Sequence, residues 1–287
     1  MKIAVYSLLN SEACKQTVHN FISHIQELAF EVAYEQRIAR WIDGTPGKVF
    51  TSHDDLDKDT DLFFSIGGDG TLLRSLEFIQ DSGIPVIGIN TGRLGFLATL
   101  KKEDIGEALR AFAAGAFTTE PRALLQVSVD GDVTPELPLA LNEVTVGRKN
   151  TTAMITIHTQ INGEKRNSYW ADGFIVATPT GSTGYSLSNG GPLIDPESQS
   201  LVLTPIAPHN LNARPLVISD DVVVTLSVDS REEDHLLSLD SRIHSIANGK
   251  RIRINKAPFA LNLARLKSDS FYKTLRSKLH WGKDRRN

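Results

Sequence analysis

A single cysteine, Cys14, stands in a chain of 287 residues. One thiol forms neither an internal disulfide nor a multi-thiolate zinc site, and this scarcity fits a reducing, cytoplasmic setting. Basic residues show no excess: 31 Lys and Arg stand against 34 Asp and Glu, a net charge of −3. A dedicated nucleic-acid or anionic-membrane surface normally carries a basic surplus, so neither partner is expected. No apolar stretch approaches the roughly 18 residues that span a bilayer. The run from Ile3 to Leu9 is short, polar residues follow it, and it lacks a small-residue cleavage site. It reads as a first strand, not as a signal peptide. Internal repeats and low-complexity segments are absent. The eight histidines are scattered, His19 and His24 fall five apart, and no HExxH occurs, so no built-in metal site is expected.

What is present is an ordinary globular mix, 40% apolar and 23% charged, which argues against disorder, collagen and coiled coil. At roughly 150 residues per domain the length suggests about two domains. Residues 1–118 alternate strand-like and helix-like patterns. Ile3 to Leu8, Asp61 to Ile66 and Pro85 to Ile89 read as strands. Val18, Phe21, Ile22, Ile25 and Leu28, then Thr71 to Ile79, then Ile105, Ala108, Leu109 and Phe112 read as helices. The expectation is an α/β domain with an open, mostly parallel sheet and helices, its ligands at the carboxyl ends of the strands. Residues 119–265 change texture. Leu125, Val127 and Val129, then Ile155, Ile157 and Ile161, alternate with polar neighbours, and Val222 to Val228 and Arg251 to Ile254 add strand signals. Asn162-Gly163 is a strong hairpin turn. This second domain is expected to be β-rich, with a helical insertion near residues 183–190. Phe271, Leu275 and Leu279 mark a short amphipathic helix in a C-terminal segment, 266–287, docked on one of the domains, the first being favoured. The basic end, Lys283 to Arg286, reads as a solvated terminus or a phosphate-seeking tail.

The sharpest local feature is Gly67-Gly68-Asp69-Gly70-Thr71, directly after a strand. Glycines let the backbone bend tightly and approach a ligand, and N–H groups opening the next helix favour a phosphate. Asp69 is the one ionisable group in this loop, expected to be accessible. The same five residues also fit a plain strand-to-helix turn with Asp as cap. Neither a Walker lysine nor the third glycine of the dinucleotide fingerprint follows, since position 73 is leucine. The second feature is Thr180 to Pro192, with five serine or threonine hydroxyls and four glycines. It suits sugar hydroxyls and phosphates, with Tyr185 free to pack on a base. A serine-hydrolase elbow at Ser182 fails, because Thr180 stands where glycine is required. Asn142-Glu143 suits an adenine edge and a ribose hydroxyl, but alone it fits a surface turn better. Asp172-Gly173 is ambiguous alone. Asn90 to Phe96 follows another strand and offers a second loop at the same sheet edge, with Arg93 either holding a phosphate or simply exposed.

Taken together, in this order, these pieces resemble the bacterial NAD kinases. The resemblance runs over nearly the whole chain, through Gly67 to Thr71, Asn90 to Phe96, Asn142-Glu143, Asp172-Gly173, Thr180 to Pro192, Pro208-His209 and Ala213 to Leu216. The glycine–aspartate loop alone is shared with phosphofructokinases and lipid kinases; the long later segment is more specific. The resemblance implies ATP-dependent phosphorylation of the adenosine-ribose 2′-hydroxyl of NAD, giving NADP. It implies Asp69 as catalytic base. It places NAD contacts on Asp69, Gly70, Asn142, Glu143, Asp172, Thr183, Gly184, Tyr185, Ser186, Leu187, Ser188, Ala207 and Arg242. ATP phosphates fall to Gly67, Gly68, Thr71, Arg74, Asn90 and Arg93. Mg²⁺ or Mn²⁺ would arrive with ATP, and a homodimer or homotetramer is implied. Gly184 and Asn189 stand where the family often has alanine, Arg93 where it often has histidine, and Trp170 where a basic residue often precedes the aspartate. The competing readings are a lipid or sugar kinase using the same loop and a non-catalytic NAD-binding regulator.

Overall fold

The computed structural model describes residues 1–28, 30–42, 47–131, 134–150, 153–267 and 269–280. The basic end, Lys283 to Arg286, lies outside the described residues. The chain forms two compact units, Met1–Pro121 with Leu261–Asn287, and Arg122–Ala260.

The first unit opens with β1 (Lys2–Ser7), α1 (Glu12–Gln26), β2 (Glu31–Glu35), α2 (Gln36–Trp41) and β3 (Lys48–Phe50). It continues through β4 (Leu62–Gly67), α3 (Asp69–Ile79), β5 (Val86–Asn90), β6 (Leu100–Lys101) and α4 (Ile105–Ala113). The sheet order β3-β2-β1-β4-β5 is parallel throughout, and β6 adds in parallel to β5. Every residue of β4 and β5 is buried, as expected of strands covered on both faces. The Ser11 side chain caps α1 by accepting from the Cys14 amide at 3.2 Å. Its stripe of Val18, Phe21 and Ile25 is buried on the sheet, with Phe21 4.9 Å from Phe64 between ring centres. The strand order reverses between β1 and β4, a switch point at whose carboxyl edge open α/β sheets generally place their ligands. Gly67 and Asn90 close β4 and β5 at that edge.

The second unit takes in most of β7 (Phe117–Val129), then β8 (Leu139–Ala140), β9 (Glu143–Gly147), β10 (Ile155–Ile161), β11 (Glu164–Ala171) and β12 (Gly173–Ala177). After the short α5 (Tyr185–Ser188) come β13 (Ser200–Ile206), β14 (Leu216–Ser219), β15 (Val224–Asp229), β16 (Asp234–Leu239), β17 (Arg242–Ala247) and β18 (Ile252–Leu266). The order β14-β13-β12-β9-β16-β17 is wholly antiparallel, as are β11-β10-β15 and the start of β18. Inward residues of both groups, among them Val144, Val146, Ile157, Phe174, Leu226 and Leu237, share one core. The Asn162-Gly163 turn has both residues at positive φ, 51° and 80°, the mirror-image turn that matches strand twist. The end of β18 returns to the first unit, where Leu263 pairs in parallel with Val86, and α6 (Phe271–Leu279) follows.

The expected architecture, an open parallel α/β sheet followed by an antiparallel β-rich region, is what the chain adopts. The insertion expected near 183–190 is a 3-10 turn, Thr180–Thr183, followed by α5.

Candidate active site

In the first unit the site grows from the turn between β4 and α3. A Cβ on Gly67 would lie 2.1 Å from Thr71 Oγ1, so only glycine lets the helix start this close to the strand. Asp69 is the first residue of α3. It is half-buried and is no loose side chain. Oδ1 accepts from the amides of Leu97 at 3.1 Å and Ala98 at 2.8 Å, and Oδ2 from that of Phe96 at 2.8 Å. The accessible carboxylate expected from the sequence is therefore a clamped one. Gly95 makes the clamp possible, since a Cβ there would fall 1.8 Å from Asp69 Oδ1.

Asn90 completes the same loop. Its Nδ2 donates to the carbonyls of Arg93 at 2.8 Å and Ala98 at 3.3 Å, while its Oδ1 accepts from Gly92 N at 2.8 Å. Those bonds occupy Asn90 in shaping the turn. Thr71 is buried; Gly70, Arg74 and Arg93 are exposed. Behind the loop, Arg265 is buried, with Nη2 3.4 Å from the Phe96 carbonyl and Nε 3.2 Å from a carboxylate oxygen of Glu120. The Phe96 ring lies under Lys278 Nζ at 4.8 Å and beside Phe271 of α6. Neither Arg265 nor the Leu97 and Ala98 amides are visible as site residues in the sequence, and Phe96 is visible only as the end of the Asn90–Phe96 loop.

In the second unit Glu143 opens β9 with Asn142 just before it, and the pair is not a surface turn: Asn142 is half-buried and Glu143 buried. Glu143 is 9% exposed. Burial pushes its carboxyl up to about 8; the nearby Asp240 adds to this, and the Tyr185 backbone N–H pulls the other way. Asn142 Oδ1, Glu143 Oε2 and Thr180 Oγ1 are buried without a hydrogen-bond partner. Such groups cost free energy unless a ligand or water satisfies them, and here they sit together. The Thr180 loop is stitched to them. Thr178 N donates to the Asn142 carbonyl at 2.9 Å, and Gly181 N donates to Thr178 Oγ1 at 3.1 Å. A Cβ on Gly181 would sit 2.0 Å from the Asn142 carbonyl oxygen. One on Gly184 would sit 3.0 Å from Glu143 Oε2, so glycine here leaves room over the acid.

The hydroxyls of that loop divide by task. Ser182 Oγ accepts from Ile194 N at 3.0 Å, and Ser186 Oγ pairs with Thr204 Oγ1 at 2.8 Å. Both are buried. Thr183 Oγ1 donates to the Thr180 carbonyl at 3.1 Å. Thr183, Gly184 and Leu187 are half-buried, while Tyr185 and Ser188 are exposed. Arg242 donates to the carbonyls of Leu137 and Leu139.

Asp172 and Ala207 are not in this cluster. Glu143 pairs with Ala177 and Gly147 with Gly173, so Asp172 lies just beyond the far end of the β9–β12 pair, roughly 16 Å away along five residues. There Asp172 Oδ1 meets Arg148 Nη1 at 2.9 Å, Ala207 holds a left-handed φ of 43°, and Trp170 packs on His209 with ring centres 4.6 Å apart.

The comparisons with known proteins decide the identity. Residues 2–117 match the ATP-NAD kinase N-terminal domain and residues 141–266 the ATP-NAD kinase C-terminal domain. NAD kinases of Flavobacterium psychrophilum and Christiangramia forsetii are 47% and 46% identical, each over 100% of both chains. The chain belongs to the NAD kinase family. It is an ATP-dependent kinase that phosphorylates NAD to NADP. Among solved structures, an NAD kinase from Archaeoglobus fulgidus in complex with ATP is 28% identical, with a TM-score of 0.76 over 98% of this chain and 99% of that one. A yeast NADH kinase complexed with NADH shares the NAD kinase fold at 22% identity, with a TM-score of 0.88 over 99% of this chain and 89% of that one. Among the described residues no helix is long and apolar enough to cross a membrane.

Proposed function

We propose that Asp69 orients the 2′-hydroxyl of the adenosine ribose of NAD and accepts its proton as the γ-phosphoryl of ATP arrives. The observation that supports this reading is the occupancy of the carboxylate. Two oxygens offer about four acceptor positions. Three are taken by the amides of Phe96, Leu97 and Ala98, leaving one open position, on Oδ2. A single open position on a rigid carboxylate gives a hydroxyl one direction to point. Phosphoryl transfer passes through a loose transition state, so positioning and charge neutralisation dominate. Holding reactants in line supplies about 7–11 kcal/mol in favourable cases.

The backbone of Gly67, Gly68 and Gly70 at the start of α3, with Thr71, Arg74 and Arg93, faces the ATP phosphates in this reading. Asn142 and Glu143 meet the adenosine, Tyr185 covers its base, and the Thr183–Ser188 segment closes over it. Asp172 and Ala207, distant from that cluster, take a different part of the dinucleotide. The ATP complex of the Archaeoglobus relative supports ATP as donor. Among the described residues no three His, Cys, Asp or Glu side chains gather to hold a metal ion, and Asp69 retains one acceptor position. In this reading Mg²⁺ or Mn²⁺ enters on the ATP phosphates, whose charge it neutralises. Self-association as a homodimer or homotetramer and a cytoplasmic location complete the proposal; the single cysteine supports the latter.

The test is to incubate the pure protein with ATP, Mg²⁺ and NAD and to assay NADP. NADP bearing the new phosphate on the adenosine-ribose 2′-oxygen is expected. NAD binding without product would favour a regulator, and phosphorylation only of a lipid or sugar would favour the other kinase classes.

A further inference from the structure

Asp240 takes no part in the mechanism above, yet it is among the most tightly bound carboxylates of the second unit. It occupies the first position of the two-residue turn between β16 and β17, where Leu239 pairs with Arg242. Its φ is 53°, a left-handed conformation that aspartate tolerates and that this hairpin turn requires. Its side chain turns inward and accepts from three successive amides: Leu141 at 3.0 Å, Asn142 at 2.8 Å and Glu143 at 3.1 Å. Its own amide donates back to the Glu143 carbonyl at 2.9 Å. One residue thus fixes both edges of the Asn142-Glu143 peptide. The unpartnered Asn142 Oδ1 and Glu143 Oε2 project from that peptide.

We propose that Asp240 is a positioning residue for the nucleoside end of NAD: its carboxylate holds the Leu141–Glu143 backbone so that Asn142 and Glu143 present their open oxygens in one direction. This inference rests on the kinase reading and names a residue that acts through the contacts of that site without touching the ligand. The arrangement repeats, in the second unit, the device by which three amides hold Asp69 in the first, with the roles exchanged: there the carboxylate is presented, here it does the holding. Asp240 also sets the charge beside Glu143. The groups bearing on Glu143 are the Asp240 carboxylate and the Tyr185 N–H, and Arg242 acts on Asp240 in turn. Burial raises the Asp240 carboxyl as well, against which its three amide hydrogen bonds and Arg242 act, and the ionised form of Asp240 favours a protonated Glu143.

Two variants test this. Asp240→Gly keeps a residue at home in the left-handed turn and removes the clamp. Asp240→Asn suits the same turn and keeps one accepting oxygen but no charge. With Asp240→Gly, the NAD dissociation constant by calorimetry and the KM for NAD should rise about tenfold or more, while the KM for ATP and kcat at saturating NAD stay within about threefold. With Asp240→Asn, the change in kcat/KM for NAD that accompanies Glu143 ionisation, near pH 8 in the parent protein, should move to lower pH. A merely structural role would lower the active fraction, and so kcat, leaving both KM values and the pH profile in place. That result, or unchanged NAD binding in Asp240→Gly, would overturn the proposal. Calorimetry judges it without turnover, so a parent protein that bound NAD but made no NADP would count against the kinase reading and not against Asp240.

Discussion

A carboxylate with three of its acceptor positions taken by main-chain amides cannot be removed without consequence for the chain that supplies them. Asp69→Ala leaves the amides of Phe96, Leu97 and Ala98 without their acceptor, at about 1–3 kcal/mol for each that stays buried. That variant should lose turnover and also melt at lower temperature. Asp69→Asn retains one accepting oxygen, enough for the Leu97 and Ala98 amides but not for that of Phe96, so it should lose less stability than Asp69→Ala while kcat falls about 10²- to 10⁴-fold, the usual worth of a positioned base. Gly95→Ala provides a second approach to the same carboxylate. Its new methyl would overlap Asp69 Oδ1, so activity should fall with Asp69 itself intact, and thermal melting should drop in parallel. A Gly95→Ala variant with parental activity would show that the clamp does not matter. Asp69 and Gly67 were legible in the sequence because a strand, glycines and a helix start are contiguous. The amides at 96–98 were not, because hydrogen bonds across 27 to 29 residues leave no local pattern. Asp240 was hidden for the same reason, at a separation of 97 to 99 residues.

At the scale of elements, the hydroxyl-rich loop shows how one composition serves two ends. Ser182 anchors the 3-10 turn to Ile194, accepting from its amide and donating to its carbonyl at 3.3 Å. Ser182→Ala should therefore lower stability by roughly 1–3 kcal/mol, read by denaturant unfolding, with kcat within about twofold of the parent. Loss of the chemical step with stability unchanged would reopen Ser182 as a reacting group. Buried parallel strands such as β4 and stripes such as that of α4 were readable because burial on both faces, or on one helix face, writes itself into apolar runs. The strands β11 and β14 were not. β11 exposes most of its residues and is held by its ladder to β10, and β14 is an exposed edge beside β13. Main-chain pairing holds both, and it carries no side-chain signature.

At the scale of the whole molecule, two groups give stability opposite slopes with pH. Burial raises Glu143 to about 8, above its unfolded value, so its contribution is complete at acid pH and is lost as pH rises through about 8. Burial lowers His235, so its contribution is complete above the unfolded value of about 6.5 and is lost as pH falls below that. Thermal melting should accordingly fall between pH 6.5 and about 8, where His235 is neutral in both states and only the unfolded chain has ionised Glu143, and Glu143→Gln should flatten that limb while leaving the acid limb. An alkaline limb unchanged in Glu143→Gln would show that another group controls it.

The most direct measurement is the rate of NADP formation in a single turnover by Asp69→Asn, taken with its NAD affinity by calorimetry under the same conditions. The account predicts a rate at least about 10²-fold below the parent with NAD affinity within a few-fold. A parental rate, or a rate that falls only as far as NAD binding does, would contradict it.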